Sequence, residues 1–142
     1  MKKSIWIVLT LLLAAFLLAA CTPQAPALEG ADRDAVLVYA EPAADAILGS
    51  LSSGVYADFS SNFNAAMLTA LPETAFAKLR GQLTNPLGAY QSRTISRVEK
   101  ATENKQDFYA VIYACKFEKG SISMRLVFDA AEPHKVSGLF FK

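Results

Sequence analysis

The stretch YAVIYACKFEKGSISMRLVFD, Tyr109 to Asp129, decides how this chain is read. On both sides of Glu118, Lys119 and Gly120, apolar residues recur at every second position, the period of a strand with one buried face. A two-residue turn at Lys119 and Gly120 would pair Phe117 with Ile122, Cys115 with Met124, Tyr113 with Leu126 and Val111 with Phe128. Directly opposed residues share a face, so this register makes one uniform apolar side and turns Lys116, Ala114 and Arg125 outward. A slip of one residue would destroy the match, because every side chain would change faces.

Working outward, Tyr90 to Val98 and Val136 to Phe141 repeat the period of two. With Phe108 to Glu118 and Ser121 to Asp129 they make four strands, all after Gly88. Upstream the period is helical. From Pro42, which suits a first helical position, Ala43, Ile47 and Leu51 fall four apart with Ala44 and Leu48 beside them, and Ser52, Ser53 and Gly54 end the run. The preceding Val36 to Tyr39 fits a short strand or an upstream helical turn, the turn being preferred. Tyr56, Phe59, Phe63 and Met67 recur at spacings of three and four and line one face of a helical segment or of two short ones. Pro72 then restarts a helix, with Phe76, Leu79 and Leu83 inward and Lys78 and Arg80 towards its negative end, and Asn85 to Gly88 turns the chain. Helices first and strands last predict an α+β fold, with N-terminal helices packed on a curved four-stranded antiparallel sheet.

The chain begins differently. Lys2 and Lys3 precede Ile5 to Ala20, apolar apart from Thr10 and too short for the roughly 20 residues of a spanning helix. That is the shape of a secretory signal. Its end, Leu18, Ala19, Ala20 and Cys21, resembles the bacterial lipobox, in which the thiol takes a diacylglyceryl group and the cysteine becomes the first mature residue. The alternative is an uncleaved anchor in which Cys21 is incidental. Two acyl chains hold a protein on a bilayer stably where one holds only marginally. The expectation is a signal peptide over 1–20, a lipidated Cys21 with a Pro- and Ala-rich tether through residue 33, and one domain over 34–142. That domain would face the extracytoplasmic side of a cell membrane.

The formal net charge is +1, and loss of Lys2 and Lys3 with the signal leaves −1. A nucleic-acid backbone needs clustered cations, so nucleic acid is excluded as a partner. With Cys21 lipidated, Cys115 has no partner for an intramolecular disulfide.

Little in the domain looks like chemistry. Cys115 falls on the apolar face and reads as a small core residue. His134, beside Pro133 between two strands, reads as a solvated turn residue, and Asp45, Asp58, Glu73 and Glu99 read as solubilising charges. There is no nucleophile elbow, no phosphate-cradling glycine loop and no zinc-like spacing, so no catalytic set, metal or cofactor is expected. One pattern is less bland. If Glu103 to Asp107 closes a hairpin pairing Val98 with Tyr109, then Tyr90, Ser92, Thr94 and Ser96 face the same side as Tyr113 and Cys115. Buried hydroxyls are costly unless hydrogen-bonded. These positions, with Tyr109 and Tyr113, would therefore edge a partly wet ligand pocket, or the strand is an edge whose second side faces water.

LGSLSSGVYADFSSNFNAAM, PETAFAKLRGQL, LGAYQSRTISRVE, the Tyr109 to Asp129 stretch and KVSGLFF together resemble domain-of-unknown-function family 3887. That family is grouped with the nuclear transport factor 2-like, cystatin-like cone folds. The resemblance covers roughly Glu41 to Lys142. It implies a sheet wrapped around helices, a cone that in better-known relatives holds a small molecule or pairs with a second subunit. It brings no catalytic residues. The resulting expectation is a non-enzymatic, membrane-anchored lipoprotein of the cell envelope, with Cys21 in membrane lipid and a small apolar or amphipathic ligand in the pocket. The rival is an interaction module whose outer sheet face, with Ala110, Ile112, Ala114 and Val127, packs on a second copy as a homodimer or on a membrane partner. A third reading, an isomerase or hydratase, requires an ionisable group inside the pocket.

Overall fold

A computed structural model describes residues 25–142; the signal segment and Cys21 lie outside the described residues. Among the described residues four helices precede four strands: α1 (Gly30–Ser53), α2 (Tyr56–Ser60), α3 (Ala65–Ala70), α4 (Glu73–Leu87), β1 (Tyr90–Glu103), β2 (Gln106–Phe117), β3 (Gly120–Asp129) and β4 (Val136–Phe141). The strands form one antiparallel sheet in the order β1-β2-β3-β4, curved and unclosed. This is the expected α+β architecture. Among the described residues no helix is long and apolar enough to cross a membrane.

α1 begins well before Pro42, which sits in its interior. A proline there removes one helical hydrogen bond and crowds the preceding turn, a cost of about 3 kcal/mol. The buried stripe explains why the helix continues: Val36, Ala40, Ala43, Ala44, Ile47, Leu48 and Leu51 recur at three and four through the proline without a break. The helical choice for Val36 to Tyr39 is thus the observed one. Upstream, Leu28 N–H donates to the Val98 carbonyl at 2.8 Å and Ala27 bridges Glu99, so the chain joins the sheet edge before residue 34. At the other end Gly54 adopts φ 75° and donates to the Ser50 carbonyl at 2.7 Å, a glycine stop.

α4 runs on through Pro86 to Leu87, past the expected turn. Arg80 does not serve its own helix end. Its Nε donates to the Leu51 carbonyl at 2.7 Å and Nη2 to the Ser52 carbonyl at 3.3 Å, capping α1 instead. Tyr56, Phe59, Phe63 and Phe76 pack as one aromatic cluster, with Phe59 and Phe76 centroids 4.4 Å apart. Phe63 lies outside α2 and α3 and bridges Val136 of β4.

The decisive hairpin keeps the expected face but in a register two residues away. Phe117 pairs with Gly120, Cys115 with Ile122, Tyr113 with Met124 and Val111 with Leu126, around a turn at Glu118 and Lys119. A shift of two leaves every side chain on its side, which is why the alternation could not distinguish the two registers. Val111, Tyr113, Cys115, Phe117, Met124, Leu126 and Phe128 are all buried.

The first hairpin departs further. The turn falls at Asn104 and Lys105, and two bulges interrupt β1, with Gln91 and Ser96 as the extra residues. Each bulge changes which alternate residues face the helices. Arg93 and Ile95 oppose Cys115 and Tyr113, while Val98 opposes Val111. Ser92, Thr94 and Ser96 are exposed on the other side. The pocket edged by those three hydroxyls is therefore corrected, and the reason is the pair of bulges.

Candidate functional site

Three polar features surround the sheet, and two of them use acids that read as solubilising charges. The first lies between α1 and the inner face. Glu41 and Asp45, four apart, share one side of α1. Arg93 Nη2 reaches Glu41 Oε2 at 3.0 Å and its Nη1 pairs with Asp45, although the Arg93 side chain is only 12% exposed. The guanidinium stands 5.4 Å from the centroid of the Tyr113 ring. Tyr113 is fully buried. Its hydroxyl, Glu41 Oε1 and Arg93 Nε are buried without hydrogen-bond partners among the described residues. Burial first, and then the Glu41 carboxylate, pushes Tyr113 ionisation well above the usual phenol range. Burial likewise raises the Cys115 thiol to about 11, only partly offset by Arg93, so this cysteine is an unreactive core group.

The second feature is on the outer face. Glu99 is 5% exposed and held by two cations, Arg97 Nε at 3.1 Å and Arg125 Nη2 at 2.8 Å. Arg125 belongs to β3 and Glu99 to β1, so their bond crosses β2, where small Ala110 is buried beneath the crossing. Arg97 also donates to the Ala25 carbonyl. Asp45, Asp58 and Glu73, by contrast, are exposed as expected.

The third feature is concave. A groove of about 640 Å³ runs between the N-terminal half of α1 and the end of the sheet where β1 and β2 meet. Val36, Val38 and Tyr39 line it from α1; Lys100 of β1, Tyr109 of β2 and His134 of the β3–β4 loop line it from the sheet. His134, at φ 52°, is not a solvated turn residue: its ring stacks on Tyr39 with centroids 4.3 Å apart and planes 17° apart. Its Nδ1 lies 3.2 Å from the Asp129 carbonyl. The Tyr39 hydroxyl is buried without a partner among the described residues, and its pKa is raised to about 12 by burial and then by Tyr109. Lys100 pairs with Asp107 at 2.7 Å.

Of the six positions expected to edge a pocket, Tyr109 alone lines this groove, Tyr113 and Tyr90 pack inside the fold, and the three hydroxyls face out. Cys21 falls outside the described residues. Tyr39 and Val36 share a helical spacing of three that marks a common face, a signal that stops being read once Pro42 is taken as the helix start. His134 has no such signal, because only folding of the β3–β4 loop carries it onto α1. No group of three or more His, Cys, Asp or Glu side chains among the described residues is placed to hold a metal.

Fold and groove together define an α+β domain with helices on one side of a curved sheet and a small-molecule-sized hollow at one end. The family model described as "Protein of unknown function (DUF3887)" matches residues 44–139, more than half of the chain, and the chain belongs to that family. Neither the curated proteins nor the solved structures include a match.

Proposed function

We propose that this is a lipoprotein, tethered through Cys21 on the extracytoplasmic side of a cell membrane, whose domain binds a small apolar or amphipathic molecule. The observation that carries the binding reading is the groove beside α1. Its volume lies within the roughly 300–1,000 Å³ of ligand pockets, and its apolar lining includes a few polar residues, among them Lys100 and His134. The cone resemblance supports the same reading. Binding rather than turnover fits the groove's ionisable groups: His134 makes no hydrogen bond to a carboxylate among the described residues, and the Lys100 ammonium is engaged by Asp107.

Native mass spectrometry of the protein released gently from its host's envelope tests both halves. A mature N-terminus carrying diacylglycerol on Cys21 and a co-purifying small mass are expected. Ala35→Arg, at an exposed groove-lining position of α1, should eliminate that mass; a mass that survives, or none in the parent protein, refutes the groove. Normal processing and membrane retention of Cys21→Ala would refute the anchor.

A second reading, self-association through the outer sheet face, is favoured by one observation. Phe140 is 50% exposed there, on the face that also carries Ile112 and Val127. Ile112→Glu should then lower the oligomeric mass, and an unchanged mass removes the reading.

A further inference from the structure

We infer that the groove faces the bilayer and takes one acyl chain of a lipid from the membrane that carries the protein. This rests on the lipid-anchored reading of Cys21 and names the ligand class of the same groove. The placement of the chain's first described residues carries it. The backbone enters the fold along β1 at the groove's rim: Lys100 N–H meets the Pro26 carbonyl at 3.4 Å and Leu28 N–H the Val98 carbonyl at 2.8 Å. Leu28 and Lys100 themselves line the groove. Four residue steps separate Ala25 from Cys21, and at no more than ~3.6 Å each they reach about 14 Å. The interfacial layer outside the hydrocarbon is roughly 5–8 Å deep on each side, so a lipid on Cys21 holds this end of the domain at the headgroups.

The groove's chemistry selects the chain over the headgroup. Val38, which lines the groove from α1, is 77% exposed, an apolar side chain that an entering acyl chain would cover. A phosphate would meet Asp32 at the rim, and the cation beside it is already paired with Asp107. An apolar tail loses nothing to either group and gains by burying its methylenes. The opposite end of the sheet, at the turn containing Lys119, lies beyond eight residues of β2 from Tyr109 and is held away from the bilayer.

The sole tryptophan of the chain, Trp6, lies in the segment removed with the signal, so the mature protein is a clean background for fluorescence. The full precursor of Val38→Trp would be expressed, purified as processed and reconstituted into phosphatidylethanolamine and phosphatidylglycerol vesicles with or without chain-brominated lipid. Emission should fall in the brominated vesicles, because an acyl chain drawn into the groove carries its bromines to residue 38 at headgroup level, while Lys119→Trp should be unaffected. Adding Ala35→Arg to Val38→Trp should abolish the quenching. Quenching that survives Ala35→Arg overturns chain entry, since proximity alone would explain it. Equal quenching of both tryptophans, or of neither while the protein floats with the vesicles, overturns the orientation and leaves the anchor standing. Protein that fails to float, or retains Trp6 emission in the parent chain, overturns the anchored reading and this inference with it.

Discussion

The two sides of the sheet each bury an arginine–carboxylate knot, with the charges inverted. Inside, one cation sits between two carboxylates, and it is the cation that is covered: Arg93 is 12% exposed, while Glu41 and Asp45 on α1 reach water. Outside, one carboxylate sits between two cations, and it is Glu99 that is covered. The inner knot joins a helix to a strand; the outer one joins strands β1 and β3 and the incoming chain at Ala25. Long arginine arms can keep their ends partly hydrated while their stems cover apolar surface, which allows a short carboxylate to be buried on an open sheet face. Only the bulges at Gln91 and Ser96 allow the reverse arrangement inside, because they turn Arg93 towards the helices.

The contrast predicts unequal costs. Arg93→Ala should be the most damaging, losing about 3 kcal/mol in urea unfolding, because it unties α1 from the sheet and leaves Glu41 against the unpartnered Tyr113 hydroxyl. Glu99→Ala should cost less, about 2 kcal/mol, since the ladders of β1, β2 and β3 still join the strands that the outer knot ties. A larger loss for Glu99→Ala would reverse the ranking of the two knots.

Alkali should weaken the inner side selectively. Unfolded Cys115 and the tyrosines lose protons near their ordinary values of 9.0 and 10.0, whereas folded Cys115 holds its proton to about 11 and Tyr39 to about 12. Above pH 9 the unfolded chain therefore binds fewer protons than the folded one, and stability falls as pH rises towards 11. Unfolding midpoints across that range check the sign, and a flat profile would contradict it. The smallest effect belongs to Tyr113→Phe. Removing a hydroxyl that has no partner should change stability by less than about 1 kcal/mol, in either direction. A loss of several kcal/mol would mean that the hydroxyl does bond Glu41.

Much of the fold was legible in the residues. Helices before strands, the face of Tyr56, Phe59, Phe63 and Met67, and the apolar side of the Tyr109 to Asp129 hairpin all follow from periodicity. The candidate site was legible only at Tyr109. Ser92, Thr94 and Ser96 were assigned inward by strict alternation, and two extra residues in β1 defeated that assignment. Glu99 was read as solvated because nothing local in its surroundings names an arginine 26 residues on.

By itself the sequence determined which faces are apolar and where helices give way to strands, since both depend on neighbours within a few residues. Tertiary structure alone decided the register of both hairpins, the partners of Arg93 and Glu99, and the meeting of Tyr39 with His134. Those depend on which distant segments are brought together. Side-chain alternation is unchanged by a shift of two and is reset by a bulge, so it specifies a face without specifying what the face meets.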